Sequence, residues 1–146
     1  MKFTLVIDPT QEEEIRITAR ESSALIEKIR QLVQEDAGTD RVAAYLDEEI
    51  RMLPFSQIAC ITVLEGKTFA IDHQGKRYRL KQRLYELETV LPPAFIRINK
   101  SSLANEQLIE RYVANFSGAV DAVFRGGYRE YVSRRCFAQI KRRYRL

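Results

Sequence analysis

Apolar and polar residues alternate from the first position of the chain. Phe3, Leu5 and Ile7 share one face and Lys2, Thr4 and Val6 the other, which predicts a strand over residues 1–8 ended by Asp8-Pro9. Ile15 and Ile17 alternate again within residues 14–18, and the polar link at residues 9–13 lets the two strands pair as a hairpin. The period then changes. Leu25, Ile26, Ile29, Leu32 and Val33 recur at helical spacing behind a Ser22 or Ser23 cap, opposite Glu27, Lys28, Arg30 and Gln31. Asp36-Ala37-Gly38-Thr39 ends this helix, and Gly38 suits a left-handed cap.

A run of short strands follows. Residues 42–45 and 49–53 flank Asp47-Glu48 as a hairpin, and Pro54-Phe55-Ser56-Gln57 reads as one helical turn. Residues 58–64 are apolar except for Thr62, the pattern of a central strand. Glu65-Gly66-Lys67 turns it into a return strand at 68–72, and residues 73–76 turn again into 77–80. Leu84, Leu87 and Leu91, with Tyr85 and Val90, predict an amphipathic helix stopped by Pro92-Pro93. A strand at 95–98 leads into the polar Asn99-Lys100-Ser101-Ser102, after which Leu103 re-enters the core and Asn105 serves as a turn or cap residue. Strands within 107–115, 119–124 and 128–132 are separated by Gly118 and by Gly126-Gly127. A last helix spans residues 134–144, with Phe137, Ile140 and Tyr144 on its apolar side. The expected fold is mostly β (α+β): an antiparallel meander with peripheral helices. Residues 1–40 read as a β-β-α extension too small to hold its own core, and residues 41–146 as the main domain.

Composition and charge sharpen this picture. The apolar fraction of 45% in 146 residues suits a globular chain. No apolar run is long enough to span a bilayer and no signal segment opens the sequence, so a cytoplasmic protein is expected. Cys60 and Cys136 lack metal-ligand spacing and sit in apolar surroundings, as small core residues do. The net charge is unevenly distributed. Residues 1–56 hold 7 Lys/Arg and 12 Asp/Glu, a net of −5, whereas residues 57–146 hold 17 and 8, a net of +9. A basic body behind an acidic front end suits a polyanion-binding module.

Catalytic equipment is sparse. His73 is the one histidine, two cysteines and a histidine do not complete a zinc site, and no glycine-rich phosphate loop precedes a helix. An enzyme, a cofactor and a small-molecule substrate are therefore not expected. The polar turn of residues 99–102 fits two readings: a rigid arm presenting donors to anionic oxygens, or a solvated turn. Arg134 and Arg135 likewise fit two. Ser133 is the natural cap, so both cations lie in a first helical turn, where they oppose the helix dipole. A phosphate or guanine edge would offset that opposition, and so would extension into solvent.

Three stretches together resemble one family. They are Y-E-L-E-T-V-L-P from Tyr85, F-I-R-I-N-K-S-S-L-A-N from Phe95 and Y-V-S-R-R-C-F-A-Q-I-K from Tyr131. In this order and spacing they are similar to the LytTR family of bacterial DNA-binding domains over roughly residues 41–146. The departures are Leu103-Ala104-Asn105, where the family has Val-Asn, and Asn99, where histidine is common. The resemblance implies elongated antiparallel sheets and binding of double-stranded DNA through loops set in neighbouring major grooves. Carried over position by position, it implies base contacts from Lys67, Lys100 and Arg135. It implies phosphate contacts from Arg97, Ser101 and Arg134, with Lys141, Arg142, Arg143 and Arg145 adding attraction. Members are often joined to a phosphate-receiving domain that residues 1–40 cannot form. The chain looks like the stand-alone members, often encoded beside a small membrane protein. A homodimer through the front segment and a membrane-protein partner are thus further expectations. The competing reading is a protein-interaction module whose basic face meets an acidic or membrane-protein partner. RNA binding is a third reading, disfavoured because the loops lack aromatics placed to stack on bases.

Overall fold

The computed structural model describes residues 1–146 and divides into two compact units, Met1–Ala37 and Gly38–Leu146. In the first unit the helical pattern forms helix α1, Ala24–Ala37. Ser23 caps it, its hydroxyl accepting from the Ile26 N–H at 3.3 Å, and Gly38 follows with φ at 70°. The two strands predicted at 1–8 and 14–18 do not form. Asp8 to Gln11 makes a turn, with Gln11 N–H donating to the Asp8 carbonyl at 3.2 Å and the Asp8 carboxylate accepting from Thr10 N–H at 3.0 Å. Continuing that two-residue turn as a hairpin would set Ile7 opposite Glu12, Leu5 opposite Glu14 and Phe3 opposite Arg16. The turn register and the hydrophobic register differ by one residue, which sends the apolar sets of the two segments to opposite faces. The hairpin therefore has no face to bury, and Phe3 and Ile15 stay 87% and 64% exposed.

The second unit carries ten strands and two helices. Strands β1 (Arg41–Leu46), β2 (Glu49–Pro54), β3 (Ile58–Leu64), β4 (Lys67–Asp72), β5 (Arg77–Leu80), β6 (Phe95–Asn99) and β7 (Ser102–Asn105) form one antiparallel sheet. Its order is β2-β1-β5-β4-β3-β7-β6. Strands β8 (Ile109–Ala114), β9 (Val120–Phe124) and β10 (Arg129–Val132) form a second sheet in the order β10-β9-β8. Strand β3 lies inside the first sheet, between β4 and β7, which is why its sequence is apolar on both faces. Ile61 joins a core with Ala70, Leu80, Leu87 and Leu103, while Cys60 joins another with Ile71, Ala104, Phe124 and Ile140. Helix α2, Leu84–Glu88, closes the first core with Leu84 and Leu87. Helix α3, Arg134–Tyr144, joins the second core through Ile140.

Three expectations need correction here. Helix α2 is shorter than predicted, ending at Glu88. Thr89 turns its hydroxyl back on the Glu86 carbonyl, and Pro92 denies the next turn its donor. The four-residue polar loop shrinks to Lys100-Ser101, because Asn99 and Ser102 are strand residues, 7% and 1% exposed. Cys60 is fully buried as expected, but Cys136 is only half-buried: in the first turn of α3, one turn before Ile140 on the same face, it packs against the second core without being enclosed by it.

The turns between sheets also approach closely. A Cβ on Gly126, between β9 and β10, would lie 2.6 Å from the His73 carbonyl oxygen and 2.8 Å from the Gly75 nitrogen, in the turn between β4 and β5. Only glycine fits that approach.

Candidate nucleic-acid interface

The turn between β3 and β4 is two residues long. Glu65 and Gly66 both have positive φ, 52° and 75°, and Leu64 pairs directly with Lys67. Positive φ at both positions is the turn that matches the right-handed twist of a hairpin. It leaves Lys67 exposed at the first position of β4.

The Lys100-Ser101 turn is held from three sides. Ser101 offers its carbonyl to the Val63 N–H at 2.9 Å and its own N–H to the Asn99 Oδ1 at 2.8 Å. The Arg97 guanidinium donates to the Lys100 carbonyl at 2.7 Å and ion-pairs with Glu88. Beneath the turn the Thr62 and Ser102 hydroxyls share a hydrogen bond of 2.8 Å, so two buried polar groups satisfy each other. The backbone of the turn is thus fixed, while the Lys100 side chain is exposed.

The start of α3 is tied to the same place. Ser133 N–H donates to the Ile98 carbonyl at 2.8 Å, and its hydroxyl accepts from the Cys136 N–H at 3.1 Å. Asn99 donates from Nδ2 to the Tyr131 carbonyl at 2.7 Å and lies 3.4 Å from the Glu130 carboxylate. The Tyr128 hydroxyl donates to the other Glu130 oxygen at 2.5 Å. Burial, and next this hydrogen bond, push the Tyr128 phenol well above its ordinary range and keep it a donor. Nearby, burial followed by the Glu130 charge raises the Cys60 thiol, which makes it a poor nucleophile.

The Lys67 turn, the Lys100-Ser101 turn and the Arg134-Arg135 helix start therefore lie side by side. Lys67, Lys100, Arg134 and Arg135 are exposed, and none forms an ion pair. Other cations are engaged. Arg129 pairs with Asp121 at 3.2 Å and Arg143 with Glu106 at 2.6 Å, and Lys141 lies over the Phe137 ring at 5.8 Å. Lys141 and Arg142 sit six and seven residues beyond Arg135, about 10 Å farther along the helix axis. They flank the three-segment cluster without joining it, and so does Arg145 at the end of α3. Arg97 is at the cluster, but its guanidinium is held by Glu88 and by the Lys100 carbonyl.

Asn99 is the residue that the sequence alone undervalues. Its neighbours suggest a solvated turn, and its buried role depends on β10, thirty-two positions away in its bond to Tyr131. No group of three or more His, Cys, Asp or Glu side chains is placed to hold a metal.

The model of the LytTr DNA-binding domain matches residues 48–145. The chain belongs to this family. The LytTr domain of a putative methyl-accepting/DNA response regulator from Bacillus cereus superimposes with a TM-score of 0.65. That match covers 73% of this chain and 98% of the other at 20% identity, and it shows the shared fold. Over 144 residues the chain is 31% identical to an uncharacterized HTH-type transcriptional regulator of Staphylococcus aureus (strain bovine RF122 / ET3-1), covering 98% of this chain and 97% of the relative. The same identity and coverage hold for the corresponding regulator of Staphylococcus aureus (strain COL). The matched relatives thus extend across both units. In this LytTr protein no two helices are consecutive in the chain, so no helix-turn-helix is present. The family is one of DNA-binding domains, and the relatives are named as transcriptional regulators. No helix is long and apolar enough to cross a membrane.

Proposed function

We propose that this LytTr protein is a cytoplasmic, sequence-specific transcriptional regulator that sets three segments into the major groove of duplex DNA. One observation carries the reading. Four exposed cations free of ion pairs stand on three neighbouring segments whose backbones are hydrogen-bonded to one another. In this reading Lys67, Lys100 and Arg135 meet base edges. Arg135 takes guanine with two parallel hydrogen bonds, the commonest specific contact in a major groove. Arg134 and the Ser101 hydroxyl hold phosphates and set the register. Arg97 reaches a phosphate only with the N–H groups left by Glu88 and the Lys100 carbonyl, so its main work is to hold the turn. Lys141 and Arg142 add attraction to the adjoining backbone.

The helix dipole supports the same reading. Two cations in the first turn of α3 are unfavourable in the free protein by a few tenths of a kcal/mol each. A phosphate at that helix start reverses the sign of both terms, because it meets the free N–H groups and the arginines together.

Fluorescence anisotropy with the duplex upstream of the coding sequence and a scrambled duplex, over a salt series, tests the proposal. Tighter binding to the upstream duplex is expected, with a log–log salt slope of several units. Equal binding to both duplexes would reduce the basic face to a non-specific one. No binding to either at low salt would overturn the proposal in favour of an acidic protein partner, such as a small membrane protein.

A further inference from the structure

The first unit leaves its apolar residues uncovered. Ten of its large apolar side chains, among them Phe3, Leu5, Ile7, Ile15 and Ile17, are 37% to 87% exposed. Together they present on the order of 1,000 Å² per copy, against the roughly 800 Å² that each partner buries in a standard interface. No backbone group of residues 12–20 is hydrogen-bonded within the chain. A segment with alternating apolar residues and open backbone groups is a template for strand addition.

The Asp8–Gln11 turn prevents the two segments from serving each other, since its register sets apolar residues opposite charged ones. A second copy has no such constraint. Within residues 14–20, Ile15, Ile17 and Ala19 lie on one face and Glu14, Arg16, Thr18 and Arg20 on the other. Laid antiparallel on itself about a twofold axis at Ile15 or Ile17, this segment sets Glu14 opposite Arg16 or Arg20 of the second copy, twice over. Laid parallel and in register, it stacks Glu14 on Glu14 and Arg16 on Arg16. The segment is therefore self-complementary in charge only when antiparallel. Within one chain Glu14 and Arg16 pair at 3.1 Å with their side chains 60% and 78% exposed, a solvated contact that a strand partner can replace.

We propose that residues 14–20 pair antiparallel with the same residues of a second copy about a twofold axis at Ile17, so that the first unit is the dimerisation element of this protein. The pairing satisfies backbone groups that are otherwise solvated and gives Ile15 and Ile17 a common face with their counterparts. The inference rests on the first unit alone and does not depend on the DNA reading.

Sedimentation velocity on the full chain tests it, using two charge variants as well as the wild type. The wild type is expected to sediment as a dimer at micromolar concentration. Glu14→Arg makes this face wholly basic, and the double variant Arg16→Glu with Arg20→Glu makes it wholly acidic. Each variant alone is expected to be monomeric. An equimolar mixture is expected to recover the dimer, because every facing pair of charges then has opposite sign. The substituted side chains lie outside both hydrophobic cores, and an unchanged circular dichroism spectrum confirms that each variant is folded. A monomeric wild type overturns the proposal, as does a mixture that stays monomeric. Growth beyond a dimer with concentration overturns the closed twofold pairing. If the first unit instead folded onto its own chain, mixing would have no effect.

Discussion

Removing the Asn99 side chain tests how the candidate interface is built. In Asn99→Ala, the Ser101 N–H loses its acceptor at 2.8 Å and the Tyr131 carbonyl its donor at 2.7 Å. The third contact, to Glu130 at 3.4 Å, is too long to add much. Two good hydrogen bonds contribute about 1 kcal/mol each, and a buried group left unpaired adds part of its desolvation penalty. Asn99 is 7% exposed, so water reaches the vacated position poorly. The expected loss is about 2–3 kcal/mol, read as a lower urea midpoint at unchanged slope. Hydrogen exchange at the Ser101 amide should accelerate, and the variant should bind the preferred duplex more weakly under conditions where it is fully folded. Asn99→Asp should be worse at neutral pH, because a carboxylate replaces the donor amide beside Glu130 and the Tyr131 carbonyl. A loss under about 0.5 kcal/mol in Asn99→Ala, with Ser101 protection unchanged, would refute the view that Asn99 fastens the turn to β10. A full stability loss with unchanged DNA affinity in the folded variant would show that the fastening is irrelevant to binding.

Three further outcomes follow from other contacts. Gly126→Ala should lower stability by about 1–3 kcal/mol, since its Cβ meets backbone atoms of His73 and Gly75 that cannot swing aside; an unchanged melting temperature would argue against this close approach. Under the proposed function, Arg135→Ala should cost about 1–3 kcal/mol on the preferred duplex and relax specificity at one base, whereas equal weakening on all duplexes would assign Arg135 to a phosphate. The Tyr112 phenol is pushed up to about 12, first by burial and then by the Glu106 charge, while the unfolded residue keeps the ordinary value of 10.0. Its contribution is therefore fully present below pH 10 and is lost as pH rises toward 12, because the unfolded chain releases its proton first. Tyr112→Phe should shallow that alkaline decline. It should be neutral or slightly stabilising at pH 7, because the Tyr112 hydroxyl is buried without a hydrogen-bond partner. Urea unfolding of both proteins across this pH range checks both points.

Much of the second unit was legible from local pattern. The doubly apolar run of β3 marked a central strand, and it lies between β4 and β7. Ser133 marked the cap of α3, and Asn105 caps the turn at Glu106–Leu108 through its bond to the Gln107 N–H at 3.1 Å. Glycine at φ of 75° turns β3 into β4. These features depend on residues close in sequence, whose steric and hydrogen-bonding preferences act within a few positions. The same local reasoning failed at residues 1–18. There alternation was present in each segment, but pairing depended on the register imposed by the intervening turn. It also misjudged Asn99 and Ser102, because a polar residue in a strand is recognised only when its buried partner is known.

The sequence by itself determined the order and type of most elements of the second unit, the segregation of positive charge and the cationic residues that face solvent. Periodicity, capping and turn chemistry are local, so one chain suffices to read them. Only the tertiary structure decided that Lys67, Lys100 and Arg135, drawn from positions far apart in sequence, stand on adjoining segments. It also decided that the Arg97 guanidinium meets Glu88 and the Lys100 carbonyl, and that Asn99 fastens β6 to β10. Those outcomes depend on which strands neighbour β3 and β6, and strand neighbourhood is set by the shared burial of two cores on a single sheet.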